Sequence, residues 1–211
     1  MERQGIDKLN SLRSIPYEKY FGEMPISDEE KDKRIKMAEL IDDVFFQLFL
    51  LINSYIELHK DLDYALFEDF ALRRFEDVID ISDLSDLELY PDIPTYIATA
   101  TSEVIETTKK NIGTPWYLSE DRAKLIAENE SNSLYEYAGL QIAISEGKTR
   151  KTWVTMMDKF VRHTHRIVDS ETIGIKDAFE VGQYLMMQPK DTSLGAGMEE
   201  IANCRCTCIY T

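Results

Sequence analysis

The residues best suited to chemistry lie in two short stretches near the C-terminal end. The first is Asp158-Lys159-Phe160-Val161-Arg162-His163-Thr164-His165-Arg166, the densest polar cluster in the chain. Asp158, Arg162 and His165 are spaced four and three apart. On a helix these positions share one face, which would bring together an acid, a base and an imidazole. Such a set can hold a fixed hydrogen-bond network or do acid–base work. The second stretch is Cys204-Arg205-Cys206-Thr207-Cys208, which holds all three cysteines. Alternation along a strand puts Cys204 and Cys206 on one face, with Cys208 following them.

Three readings of these stretches follow. The first is a structural latch made by Asp158, Arg162, His165, Cys204, Arg205 and Cys206. The second is a metal site in which His165, Cys204 and Cys206 supply three N/S ligands of the kind zinc accepts, with Asp158 or His163 as a fourth. The third is an acid–base or metal-dependent enzyme, a nuclease or peptidase, using Asp158, His165, Cys204 and Cys206. Neither stretch has the paired C-x-x-C or H-x-x-x-H spacing of a strong zinc signature. There is no G-x-S-x-G elbow, phosphate-cradling glycine loop or H-E-x-x-H. The latch is the reading adopted, with no catalytic residue, no metal and no cofactor assigned. An odd, terminal cysteine cluster is not a disulfide framework and reads as reduced thiols.

Elements able to position these residues are legible in the pattern. Gly and Pro are scarce, 9 and 6 in 211 residues, which favours helices over an all-β sandwich. Residues 1–27 read as an N-terminal arm with short helical pieces. Ser27-Asp28-Glu29-Glu30 is a helix start, with Ser27 as cap and acids at the positive end of the macrodipole. The helix is predicted over 28–59. Its middle, Val44 to Ile52, is apolar around most of its circumference. That suits a bundle core, or a contact between subunits. Residues 61–80 repeat apolar residues at helical spacing. The stretch Asp61 to Asp92 is strongly acidic, a solvated face or a docking surface for a basic partner. Asp92-Ile93-Pro94-Thr95 opens a third helix, stopped near Gly113. Ser119-Glu120-Asp121 starts a fourth, which runs to about Glu146 and ends at Gly147.

Beyond Gly147 the texture changes. Lys151–Met157 reads as a strand, residues 179–187 as a strand or a bulged pair around Gly182, residues 190–200 as a loop, and Arg205–Tyr210 as a final strand. The fold class is therefore α+β: a mainly helical N-terminal part, then a long helix leading into a small C-terminal β unit. The pieces are an arm (1–27), a helical domain (28–113) and a helix plus small β unit (114–211).

Charge narrows the function classes. The formal net charge is -15. Residues 1–112 hold 25 acids and 13 bases, and residues 113–211 hold 14 acids and 11 bases. Proteins that coat duplex DNA or an anionic membrane rely on clustered Lys and Arg, so general DNA binding is not expected. The milder C-terminal half is compatible with a few weak contacts to DNA. No signal peptide is visible, and no apolar run is long enough to span a membrane.

The ordered set Lys151-Thr152-Trp153-Val154-Thr155, Asp158 with Val161-Arg162 and His165, Phe179-Glu180-Val181, Met187-Gln188-Pro189-Lys190-Asp191 and Asn203-Cys204-Arg205-Cys206-Thr207 resembles the Phage Mu F-like head morphogenesis family. The upstream Glu120-Asp121-Arg122-Ala123 and Ala127-Glu128-Asn129-Glu130 fit the same likeness. The resemblance covers about residues 115–210. It implies a minor head (capsid) protein of a tailed bacteriophage, acting in procapsid assembly and head morphogenesis. The implied place is the portal vertex inside the virion head, reached from the host cytoplasm during assembly. The implied partners are the portal protein, the major capsid or scaffolding protein, and the packaged DNA through weak contacts. Many relatives carry C-x-x-C where this chain has Arg162 and His165, and His-Pro where it has Ile201-Ala202. Those relatives look zinc-competent. The substitutions here imply closure by polar residues instead. The usual Asp-Gly turn is Asp169-Ser170 in this chain.

Overall fold

The computed structural model describes residues 16–81 and 93–211. Five helices come first: α1 (Tyr17–Gly22), α2 (Asp28–Glu57), α3 (Tyr64–Ile81), α4 (Ile93–Lys110) and α5 (Glu120–Ser145), with a 3-10 turn at Pro115–Leu118 before α5. The β unit follows: β1 (Arg150–Val154), α6 (His163–Ile167), β2 (Thr172–Gly174), β3 (Phe179–Val181), β4 (Tyr184–Met186), α7 (Met198–Ile201) and β5 (Thr207–Tyr210). The α+β reading holds.

The helices start where capping chemistry places them. The Ser27 side chain accepts from the Glu30 amide at 3.2 Å, and Ser119 accepts from the Arg122 amide at 3.2 Å. Each cap satisfies one of the amides that a helix start leaves without an intrahelical partner. Helix α2 ends two residues before the expected position. His59 takes φ 52, and the Lys60 amide returns to the Tyr55 carbonyl at 2.9 Å. This is a left-handed C-terminal closure.

Helix α2 is the spine of the helical core. Phe45, Leu48, Phe49 and Ile52 are fully buried, beside Phe67 and Phe75 of α3 and Ala123 and Ala127 of α5. The bundle-core reading of the apolar stretch thus holds for one face, while Leu50 remains 51% exposed. The small side chains of α5 let the two long helices pack closely. The short helical piece expected in the arm is α1, whose Tyr20 and Phe21 are buried in the same core. Residues 1–15, and 82–92 of the acidic stretch, lie outside the described residues.

The β unit holds two small antiparallel sheets. One has the order β2-β1-β5, with Trp153 opposite Cys208 and Lys151 opposite Ile173 and Tyr210. The other is the β3–β4 hairpin. Strand β1 ends at Val154, three residues earlier than expected, because Met157 turns left-handed at φ 52 and starts the Asp158 loop. The bulged pair read around Gly182 is this hairpin. Gly182 sits at the turn with φ 64, a conformation that glycine enters without a Cβ penalty. The loop read over 190–200 holds helix α7, which is too short to leave a periodic signal. Ser170 takes φ 63 where glycine would be easier, while Asp169 Oδ1 accepts the Thr155 amide at 2.8 Å and fixes the turn.

A buried polar layer joins the two parts. Asn129, Asn132 and Glu136 of α5, spaced three and four apart, fall on one helix face. Asn132 Nδ2 donates to the Cys204 carbonyl at 3.0 Å. Asn129 Oδ1 accepts the Asn203 amide at 2.8 Å and Lys190 Nζ at 2.6 Å. Glu136 accepts the Cys208 amide at 3.3 Å. Arg34 of α2 stands behind this stripe, bonded to Asn132 and 2.9 Å from Glu136, with Glu30 at 2.5 Å. Burial acts against its charge, but Glu136 and Glu30 keep the guanidinium protonated. One cation shared by two carboxylates leaves Glu136 easier to protonate. Burial pushes it up to about 7 against the pull of Arg34.

Truncating Arg34 to Ala strands Glu136 and Asn132 in the interior. The expected loss in urea unfolding is about 3–5 kcal/mol. Adding Glu136→Gln to that variant should return part of the loss. Glu128 gives a pH signature. Its side chain is buried, Oε1 has no hydrogen-bond partner among the described residues, and burial raises its pKa to about 7. The unfolded value is about 4.3. A raised acid pKa favours the folded state most below the unfolded value, and that benefit is lost as pH rises to about 7. Glu128→Gln should therefore be more stable than the parent at pH 8, by about 1–3 kcal/mol. The difference should shrink at pH 4–5, as read from melting curves at both pH values.

Candidate functional site

The polar residues singled out in the sequence converge where the loop after β1, helix α6 and the Cys204–Cys206 segment meet. Asp158 and Arg205 form an ion pair. Arg162 donates to the Ala202 carbonyl. His165 Nδ1 lies 3.4 Å from Cys206 Sγ and 3.5 Å from Cys204 Sγ. Arg162, His165, Cys204, Arg205 and Cys206 border one small cavity of about 30 Å³, with Asp158 behind Arg205.

The contacts are three separate ones, and this corrects the expected single helical face. Helix α6 starts only at His163, so Asp158 lies outside it and Arg162 is the residue before its first turn. Asp158 instead closes its own loop. Its Oδ1 accepts the Phe160 amide at 2.8 Å and the Val161 amide at 3.2 Å. Partial burial works against its charge. The Phe160 amide and the Arg205 guanidinium outweigh that and hold the carboxyl below the usual range. Arg166 braces the loop from outside, donating to the carbonyls of Asp158 at 2.8 Å and Val161 at 3.1 Å. Asp158, committed to these donors, does not join His165 and the thiols. His163 is exposed on the opposite side of the helix start.

His165 is 1% exposed. Its ring meets the indole of Trp153 edge-to-face at 5.5 Å, and Trp153 meets Phe179 at 5.2 Å in the same manner. Its other nitrogen, Nε2, lies 3.0 Å from Glu200 Oε2, which also accepts the Thr164 hydroxyl at 2.8 Å. A Cβ on Gly182 would lie 2.9 Å from both Glu200 Oε1 and Thr164 Cγ2, so the hairpin glycine is what lets β3–β4 close over this carboxylate. The Cys206 amide points at Cys204 Sγ, 3.4 Å away. The two thiols titrate as a pair. The Cys206 S–H and, less strongly, His165 draw the Cys204 thiol down against its burial, while Cys204 and burial push the Cys206 thiol up.

Sequence reasoning missed Glu200, Thr164 and the α5 stripe. Glu200 sits in a segment read as loop and carries no spacing signal. Asn129, Asn132 and Glu136 did have the three-and-four spacing of one helix face. That face counted as periodic helix rather than as a binding surface for backbone.

Comparison with known proteins decides the family. Residues 98–209 match the family described as Phage Mu protein F like protein, a span of more than half the chain. The chain belongs to this family. It is thereby a phage head-related protein. The span runs from within α4 through α5 and the β unit to β5, so it takes in the site and the helix it docks on. No curated protein and no solved structure matches the chain. Among the described residues, no helix is long and apolar enough to cross a membrane.

If Asp158 holds its loop as these bonds indicate, Asp158→Ala should free the Phe160 and Val161 amides. Hydrogen exchange at those two positions should speed up by at least tenfold, with the amides of β1 and β5 unchanged. Equal protection in the variant would contradict the role given to Asp158.

Proposed function

We propose that this protein is a minor head protein that acts in procapsid assembly and head morphogenesis, seated at the portal vertex inside the head. The family match over residues 98–209 carries the reading. The architecture supports it. Helix α5 holds the β unit through Asn129, Asn132 and Glu136 at its middle and packs along α2 in the acidic helical part. That part presents Leu50, Leu58 and Leu66 to solvent at 51%, 63% and 42% exposure. Apolar side chains among acids suit docking to another head component better than they suit contact with polyphosphate. The portal protein is the proposed principal partner, with the major capsid or scaffolding protein as a further one.

We assign no catalytic role to Asp158, His165, Cys204 or Cys206. A substrate pocket typically has several hundred Å³. The cavity that His165, Cys204 and Cys206 face is about 30 Å³. Asp158, the obvious carboxylate for acid–base work, is fully engaged by Arg205 and two backbone amides.

A tagged chain expressed during infection should co-purify with the portal protein and with procapsids. Leu50→Glu with Leu58→Glu should cut that recovery at least tenfold while leaving helix content unchanged by circular dichroism. A chain that never associates with portal or procapsids would overturn the proposal.

A further inference from the structure

We infer that Lys190 and Asn129 join in an intramolecular isopeptide bond, with Glu128 as the proton carrier, so that the loop after β4 is stapled covalently to α5.

The first observation is where the amine sits. Lys190 is 6% exposed, and its Nζ lies 2.6 Å from Asn129 Oδ1, 61 residues away along the chain. Its hydrogen-bond partner is a side-chain amide rather than a carboxylate. A buried lysine is normally paired with an acid. The loop is shaped to bring it there. Lys190 takes φ 66 at the third position of a turn closed by the Asp191 amide on the Gln188 carbonyl at 3.2 Å. Glycine or asparagine is the usual residue at that position. Asp191 fixes the turn, accepting the Met187 amide at 2.7 Å and the Ser193 amide at 2.8 Å.

The second is how the amide is held. Asn129 Nδ2 donates to the Leu125 carbonyl at 2.8 Å, and Oδ1 accepts the Asn203 amide at 2.8 Å. The group therefore has one orientation, with Cγ beside the amine. Rotation about the last bonds of the Lys190 side chain carries Nζ from the oxygen to that carbon. The Asn203 N–H is already aimed at the oxygen on which negative charge develops. Both reactants belong to one fold, so the step needs no encounter.

The third is the pair of groups that move the protons. Burial brings the Lys190 ammonium down to about 8, which makes free amine available near neutral pH. The Arg162 charge adds to this, while Cys204, Glu130 and Glu128 oppose it. Burial raises Glu128 to about 7, so it has a proton to give, and Lys190 acts on it more than any other charged group. Glu128 Oε1 is buried with no hydrogen-bond partner among the described residues. Glu130, the other acid beside Lys190, is engaged by the Tyr96 hydroxyl.

The step balances without any co-reactant. The Nζ lone pair attacks Asn129 Cγ, and the carbonyl π pair moves onto Oδ1. Glu128 gives its proton to Nδ2, the Cγ–Nδ2 bond breaks, and ammonia leaves. Glu128 then takes back one proton from Nζ. One C–N bond forms and one breaks, and nothing is oxidised or reduced. A cavity of about 140 Å³ lined by Asn129, Glu130 and Lys190 gives the ammonia a way out.

The test is intact-mass spectrometry of the full chain, denatured and reduced, after purification and after incubation at pH 8. The wild-type protein should be lighter than its sequence by one ammonia. A tryptic digest should contain the Asn129 and Lys190 peptides joined. Lys190→Arg should keep the full mass. Glu128→Gln should slow the loss of ammonia about 100-fold. That variant is expected to be more stable than the parent at pH 8, so slow reaction in it does not reflect misfolding. Full sequence mass in the wild-type protein after incubation would overturn the inference, as would ammonia loss that persists in Lys190→Arg. An unchanged rate in Glu128→Gln would overturn the role given to Glu128. The first measurement needs only the wild-type chain, so no variant has to fold for it to decide.

Discussion

Everything in the C-terminal unit depends on how α5 grips the backbone of residues 203–208. That segment has little regular structure of its own before β5. Asn129 takes the Asn203 amide, Asn132 the Cys204 carbonyl and Glu136 the Cys208 amide. Buried backbone groups without partners are costly, so a helix that satisfies three of them in sequence both fixes the segment and sets its register. Arg34 then ties this helix face to α2, so the helical part and the β unit share one polar layer. The position of Cys204 and Cys206 relative to His165 follows from that layer and from β5 pairing with β1.

This arrangement explains why the site is so closed. Trp153 and Phe179 wall His165 on one side, Glu200 fixes its far nitrogen, and Gly182 allows the hairpin to lie against Glu200. The Asp158 loop covers the remaining side, with its carboxylate spent on Arg205 and on its own backbone. Such a construction leaves only a cavity of about 30 Å³ beside His165, Cys204 and Cys206.

Much of this was legible in the residues. The caps at Ser27 and Ser119, the apolar period of α2 and the glycine at 147 place the long helices within two or three residues. The C-R-C segment and the Asp158–His165 stretch were recognisable as the chemical centre. What stayed hidden depends on long-range geometry. The end of β1 at Val154 follows from Met157 turning left-handed, and an unbranched methionine gives no warning of that. Helix α7 spans four residues, too short for a period, so Glu200 and its bond to His165 could not be foreseen. The three-and-four spacing of Asp158, Arg162 and His165 suggested a shared helix face, but the loop's own hydrogen bonds delayed the helix to His163. Asn129, Asn132 and Glu136 looked like ordinary helix positions because their partners are backbone atoms more than seventy residues away.

The measurement that bears most directly on this account is hydrogen exchange across residues 203–210 in a variant carrying Asn129→Ala and Asn132→Ala. The account predicts that protection in this segment is lost and that Trp153 fluorescence shifts as its surroundings open. The amides of α2 and α5 should remain protected. Unchanged protection of residues 203–210, with Trp153 still buried, would contradict the claim that the α5 stripe holds the site together.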